Sequence, residues 1–120
     1  SKMENDTNPV GNIYVSHRTI ASIAYRSVQE TYGVVGLAAK NFAEGIANVL
    51  VKDPTLGVEI QYSGREIDID LFIIVEYGTR ITTVANSVAA NVRYQVEQLV
   101  GVPVKSVNVH VRGLRISNID

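Results

Sequence analysis

The stretch Ile-Asp-Ile-Asp-Leu-Phe-Ile-Ile-Val at residues 67–75 decides the fold, because its apolar side chains recur at every second position. That period of two predicts a β-strand with one fully apolar face, whereas the other face begins with Asp68 and Asp70. Phe72 and Ile74 then make the second face apolar as well. A strand that is apolar on both sides is usually covered on both sides. We therefore expect this outer face to be covered either by residues 10–15 or by another protein molecule.

The elements around this strand follow from the same patterns. Residues 58–62 alternate in the same way and are joined to it by Ser63-Gly64, which predicts an antiparallel hairpin. An amphipathic helix follows between Thr79, its expected cap, and Gly101. The apolar stripe of this helix consists of Ile81, Val84, Ala85, Val88, Val92, Val96 and Leu99. A last strand over residues 104–112 places Lys105 and three valines on one face, against Val104, Ser106, Asn108, His110 and Arg112 on the other.

The N-terminal half of the chain is predicted to be mainly helical. Ser16 is a candidate N-cap for a first helix that reaches Thr31, and residues 38–51 have the spacing of a second helix that ends before Pro54. Residues 11–15 favour a short edge strand, and residues 1–9 are predicted to be a disordered tail. One domain over residues 10–117 is expected.

Together these elements predict an α+β fold. We expect a two-layer sandwich in which a three-stranded mixed sheet, with a short additional N-terminal edge strand, packs on three helices. The predicted order is helix, helix, strand, strand, helix, strand. The crossover from the strand at residues 67–75 to the last strand should be right-handed, with those two strands parallel.

Composition narrows the class of function. The chain has 120 residues, no cysteine and a net charge of −1, which excludes disulfides and argues against binding along a nucleic-acid backbone. The longest unbroken apolar run, residues 71–75, is far too short to cross a bilayer. We therefore expect a cytoplasmic protein without direct membrane insertion, whose association with a membrane would require a partner.

Three carboxylates on one strand face could bind a divalent cation. Glu66, Asp68 and Asp70 alternate along the strand, and hard cations prefer oxygen ligands. No glycine-containing loop and no further carboxylate accompany them, so cross-strand pairing with Arg112 or Arg115 is the favoured interpretation. We expect neither a metal nor a cofactor.

Catalysis finds little support in the sequence. His17 and His110 are the only histidines, and neither stands in a hydrolase or metalloprotease motif. We predict that the protein is not an enzyme.

Gly33-Val34-Val35-Gly36 is a GxxG sequence between the two predicted helices. In KH modules such a loop clamps single-stranded RNA, which makes RNA binding the alternative function. The two valines offer no cation to a phosphate, so a helix cap followed by a tight turn is favoured.

Five segments resemble the alkaline shock protein family of Gram-positive bacteria. They are GNIYVS at residues 11–16, YGVVGLA at 32–38, VEYG at 75–78, SVNVHV at 106–111 and GLRI at 113–116, the last similar to the small YloU-like members. The resemblance is collinear over nearly the whole chain.

The resemblance implies a non-enzymatic role in envelope stress and cell-envelope homeostasis. It further implies a scaffold or regulator that acts through protein–protein contacts, with a membrane-anchor protein or a second copy of the chain as partner. The family has no catalytic residue to transfer to this sequence. We predict that the contacts are made by one surface, which consists of Asp68, Asp70, Phe72, Ile74, His110 and Arg112.

Overall fold

A computed structural model describes residues 15–41 and 49–117 of the chain. Its helices are α1 (His17–Gln29), α2 (Pro54–Gly57) and α3 (Ile81–Val100). Its strands are β1 (Val34–Ala38), β2 (Leu50–Val51), β3 (Val58–Tyr62), β4 (Ile67–Glu76) and β5 (Val104–Arg115). The predicted α+β class is confirmed. The predicted number of strands is wrong, because these residues form a five-stranded sheet. The predicted order of elements is also wrong, since the order along the chain is α-β-β-α-β-β-α-β.

Strand β4 holds the sheet together. Its N-terminal half pairs antiparallel with β3, and its C-terminal residues from Ile73 to Val75 pair antiparallel with β1. Its whole length pairs in parallel with β5. Since a strand has two edges, β1 and β3 share one edge of β4 and β5 occupies the other. The hairpin of β3 and β4 and the parallel pairing of β4 and β5 are thus both confirmed.

The core lies between one face of β4 and the helices α1 and α3. The alternating residues of β4 that the sequence placed on one face are all fully buried: Ile67, Ile69, Leu71, Ile73 and Val75. From α3, the valines at positions 84, 88, 92 and 96 pack against them. Burying each of these branched side chains stabilises the fold by about 1.5–3 kcal/mol relative to exposure.

The ends of the predicted α3 stripe differ from expectation. Ile81 and Leu99 are exposed. The buried residues of α3 are the four valines spaced four residues apart, and Ile81 and Leu99 lie outside that spacing. Arg80 is the N-cap residue and Thr79 does not cap the helix; its hydroxyl donates to the Glu76 carbonyl at 2.7 Å. Gly101 ends the helix in the left-handed conformation, as predicted.

The predicted second helix over residues 38–51 is wrong at both of its ends. Ala38 closes β1, and Leu50 and Val51 form β2, which pairs antiparallel with β1. Sheet pairing outweighs the helix propensity of Ala38. A one-turn helix, α2, follows instead; Asp53 caps it by accepting from the Thr55 backbone N–H at 3.0 Å.

Two register shifts shape β5. Between Ile67 and Asp68 the partner moves from Val104 to Ser106, and between Ile73 and Ile74 it moves from Val111 to Gly113. Lys105 and Arg112 are therefore the extra residues of two bulges. The first bulge turns Val104 into the core, where it is buried, and so corrects its predicted place on the polar face.

Several predictions lie outside the described residues. These are the tail at residues 1–9, most of the edge strand at residues 11–15, and the middle of the second predicted helix at residues 42–48. Ser16 is described and caps α1 by accepting from the Thr19 backbone N–H at 3.1 Å, as predicted. Val15 packs against the core and not against the outer face of β4.

Candidate functional site

The parallel pairing of β4 and β5 brings the predicted contact residues together on the face of the sheet opposite the helices. Asp68 lies beside Ser106, Asp70 beside Asn108, and Phe72 beside His110. Because alternate residues of a strand share a face, these side chains form one row on each strand. We call this surface the outer face, defined by Asp68, Asp70, Phe72, Ser106, His110 and Arg112.

Each carboxylate of the row has a cross-strand partner. The Ser106 hydroxyl donates to Asp68 Oδ1 at 2.6 Å, and His110 Nε2 lies 2.9 Å from Asp70 Oδ1. Lys105 Nζ lies 3.7 Å from Glu66 Oε2. The prediction that the carboxylates pair with side chains of the neighbouring strand is thus confirmed. The predicted partners Arg112 and Arg115 are wrong, since β5 is in parallel register and places both arginines beyond the carboxylates.

Phe72 is the centre of an aromatic and cationic stack. The His110 ring is stacked on it with centroids 4.6 Å apart and an interplanar angle of 12°. The Arg112 guanidinium carbon lies 4.8 Å from the Phe72 centroid, a cation–π distance. Arg112 Nη2 also donates to the Lys40 carbonyl at 3.3 Å, so the stack is attached to the segment that follows β1.

Ile74 has a different place from the other predicted contact residues. Its side chain is fully buried, although it lies on the same face as Phe72. Gly36 of β1 is its neighbour in the sheet, and a Cβ atom built on Gly36 would lie 3.0 Å from Leu50 Cδ2. Leu50 thus lies over the sheet beside Ile74. Ile74 supports the outer face from within, and the half-exposed Phe72 with its polar neighbours forms the accessible part.

The polar side chains of the outer face are paired with one another. The Asp70–His110 pair has the form of a catalytic dyad, but the Ser106 hydroxyl donates to Asp68 and not to the imidazole. Within residues 15–41 and 49–117, no three His, Cys, Asp or Glu side chains lie close enough to bind a metal ion. His17 is exposed on α1, with its ring centroid 6.5 Å from that of Tyr62.

The GxxG segment forms no loop between helices. Gly33 lies in the turn after α1, whereas Val34 and Gly36 belong to β1 and pair with Val75 and Ile74. A KH-type clamp needs an accessible loop. The predicted helix cap at Gly33 is wrong, because Glu30 is the C-cap of α1. The predicted tight turn is present, since the Val34 N–H donates to the Thr31 carbonyl at 3.3 Å before the chain continues as β1.

Sequence reasoning missed two members of the site. The sequence pattern places Ser106 on the correct face but indicates no role for it, and it predicts a helix at Lys40. Both act through partners that are distant in sequence, namely Asp68 and Arg112. The alternation of β5 was the available signal for Ser106, whereas no local pattern indicates the Lys40 carbonyl.

The model of the alkaline shock protein 23 family, which is described as having a cell envelope-related function, matches residues 5–116. The chain belongs to this family. The resemblance carried by the five sequence segments is thereby confirmed. Among curated relatives, the uncharacterized protein YloU of Bacillus subtilis is 41% identical over 110 residues, which cover 90% of this chain and 92% of YloU. The uncharacterized protein Spy1614 of Streptococcus pyogenes is 28% identical, with 88% of this chain and 89% of that protein covered.

Solved structures show where the fold of this alkaline shock protein occurs elsewhere. A double variant of the MamM CTD superposes with a TM-score of 0.53 at 14% identity, covering 88% of this chain and 92% of that one. A single variant of MamM gives a TM-score of 0.52 at 16% identity, covering 88% and 95%. At this identity the likeness concerns the fold alone. In the part of the chain that is described, no helix has both the length and the apolarity to span a membrane.

Proposed function

We propose that this alkaline shock protein family member is a non-enzymatic scaffold or regulator of the cell envelope that captures a protein partner with the outer face. The Phe72 stack is the observation that carries the proposal. Aromatic and arginine side chains contribute most to binding at protein interfaces. Here Phe72 and Arg112 are already oriented by each other, so little side-chain freedom is lost when a partner binds.

The polar members of the outer face supply specificity. Asp68 and Asp70 are bound by Ser106 and His110, so their carboxylates are held in place beside the aromatic ring. Oriented charges around an apolar centre select partners with complementary charge. The partner we propose is a membrane-anchored protein, which would recruit the chain to the cytoplasmic side of the membrane. A second copy of the chain is the alternative partner.

The test compares partners captured by the wild-type chain and by a variant that carries Phe72→Glu and Arg112→Glu. Capture from intact cells by cross-linking, quantified by mass spectrometry, should lose one or a few membrane-associated proteins in the variant. Tyr94→Glu serves as the matched control, because Tyr94 is an exposed aromatic residue on α3, away from the sheet. Light scattering of the purified chains shows whether self-association is lost in parallel.

An unchanged set of captured proteins together with an unchanged mass in solution would refute the proposal. Turnover of a small molecule that depends on Asp70 and His110 would also refute it, since the outer face would then act on a substrate. Equal melting temperatures of the variant and the control exclude a folding defect as the cause of any loss.

A further inference from the structure

A second surface lies where β4 and β5 end. Four large apolar side chains are exposed there: Tyr32 (89%), Tyr77 (66%), Ile81 (41%) and Ile116 (75%). Arg80 and Arg115 are exposed beside them. We call these six residues the tyrosine tip. None of them belongs to the outer face, so the feature is separate from the surface discussed above.

Backbone hydrogen bonds bring three chain segments together at the tip. The Glu76 N–H donates to the Gly33 carbonyl at 2.8 Å, which places the turn containing Tyr32 beside the end of β4. The Tyr77 N–H donates to the Arg115 carbonyl at 2.9 Å, which adds the end of β5. Tyr32 and Arg80 line one shallow cavity of about 320 Å³. The tip is therefore a defined surface built on the sheet.

The electrostatics of the tip favour an anion. Neither Arg80 nor Arg115 forms an ion pair within the described ranges. Helix α3 begins at the tip with no acidic residue in its first turn and no side-chain cap, so the partial positive charge of its N-terminus is unopposed.

Among the described residues, the nearby carboxylates form no ion pair with the two arginines. The Glu76 carboxylate accepts from the Ser117 backbone N–H at 3.1 Å. Hydrogen bonding to Ser117 lowers the pKa of Glu76 below its ordinary value and ties this charge to the backbone. Glu30 lines the groove between α1 and α3, together with Ser22 and Leu99. Glu76 is half-buried, whereas Arg80 and Arg115 are exposed, so the charge carried by the six residues of the tip is positive.

We propose that the tyrosine tip docks directly onto the surface of an anionic phospholipid bilayer. Tyrosine prefers the boundary between headgroups and acyl chains, where its ring is apolar and its hydroxyl remains hydrated. Ile81 and Ile116 enter the same shallow layer, and the two arginines bind lipid phosphates. The chain touches the bilayer without crossing it, and the outer face stays available for a protein partner.

The experiment measures co-sedimentation of the purified full chain with vesicles. One set consists of equal parts phosphatidylglycerol and phosphatidylcholine, and the other of phosphatidylcholine alone. We expect binding to the anionic vesicles that weakens with added salt, and much weaker binding to the neutral ones. Arg80→Gln with Arg115→Gln should weaken binding on the order of tenfold. Tyr77→Ser with Ile116→Ser should weaken it by a similar factor on both vesicle types.

Matched controls distinguish binding by the tyrosine tip from nonspecific adsorption to vesicles. Tyr94→Ser with Leu99→Ser removes a tyrosine and an aliphatic side chain of similar exposure, 61% and 66%, from α3. This control leaves the net charge unchanged and should bind anionic vesicles like the wild type. Absence of binding to the anionic vesicles would overturn the proposal. So would equal losses in the tip and control variants, or tip substitutions that change only self-association or capture of a protein.

Discussion

The backbone of Gly33 packs directly on the side chain of Val84. A Cβ atom at Gly33 would lie 2.6 Å from Val84 Cγ2, and the φ angle of Gly33 is +93°, where L side chains are strained. Gly33→Ala should therefore lower the free energy of unfolding by roughly 2–4 kcal/mol, from overpacking and backbone strain together. Chemical denaturation measures this change.

Gly64→Ala is the matched control for that substitution. Gly64 has a nearly equal φ of +98°, but nothing lies within 4 Å of its would-be Cβ atom. Its loss should be only the strain, about 1 kcal/mol. Equal losses at the two positions would contradict the packing of Gly33 on Val84.

Truncation along α3 should distinguish its buried stripe from its exposed end. Val92 is fully buried, so Val92→Ala should cost about 2 kcal/mol through lost burial and the cavity left behind. Leu99 is 66% exposed, so Leu99→Ala should change stability by less than about 0.5 kcal/mol. Thermal or chemical unfolding of both variants checks the contrast. A larger loss of stability for Leu99→Ala than for Val92→Ala would mean that Leu99 is buried in the core.

The cap of α2 predicts a dependence of stability on acidic pH. Hydrogen bonds from the Thr55 side chain and backbone lower the pKa of Asp53 below its ordinary value of 3.8, assisted by the Arg18 charge. A carboxyl whose pKa is lower in the folded than in the unfolded chain stabilises the fold above its unfolded pKa. That contribution is lost as the pH falls below 3.8 and through the folded pKa.

Thr55→Val isolates this effect, because it removes the hydroxyl that donates to Asp53 Oδ1 at 2.8 Å and nearly preserves the shape of the side chain. The variant should be less stable than the wild type at neutral pH, and the difference should shrink at strongly acidic pH. Unfolding curves at several pH values measure the difference. A gap that widens on acidification would show that the hydroxyl stabilises the protonated carboxyl instead.

The stack of Phe72 on His110 should appear as a coupling in a double-mutant cycle. Phe72→Leu and His110→Ala together should cost less than the sum of the single changes, by about 0.5–1.5 kcal/mol. The same cycle between Phe72 and Lys105 is the control, since Lys105 is directed to Glu66. Additive effects at Phe72 and His110 would mean that the rings do not stabilise each other.

The strands and the helix of the C-terminal half could be predicted from the spacing of apolar residues alone. In β4 the two-residue period places every second residue from Ile67 to Val75 in the core, and the structure agrees. By contrast, Val34–Ala38 is a short apolar run without period, and its strand character comes from pairing with β4. Local pattern holds no information on a partner that is distant in the chain.

The same distinction applies to the outer face. Strand alternation was sufficient to place Asp68, Asp70 and Phe72 on one face with His110. It could not supply the partners, because these depend on the register between β4 and β5 and on the bulge at Lys105. The burial of Ile74 likewise depends on the fold, since Leu50 lies over its sheet neighbour Gly36.

The bulges of β5 have a consequence for the behaviour of the protein at high concentration. Within the described residues β5 pairs only with β4, so twelve residues of backbone border solvent along one side. Such a border invites other chains to add strands and to grow into fibrils. The two bulges interrupt its regular spacing, and the exposed Lys105 adds a positive charge that repels the same residue on an approaching copy. Removing the charge of Lys105 would lower solubility and favour aggregation without changing the core.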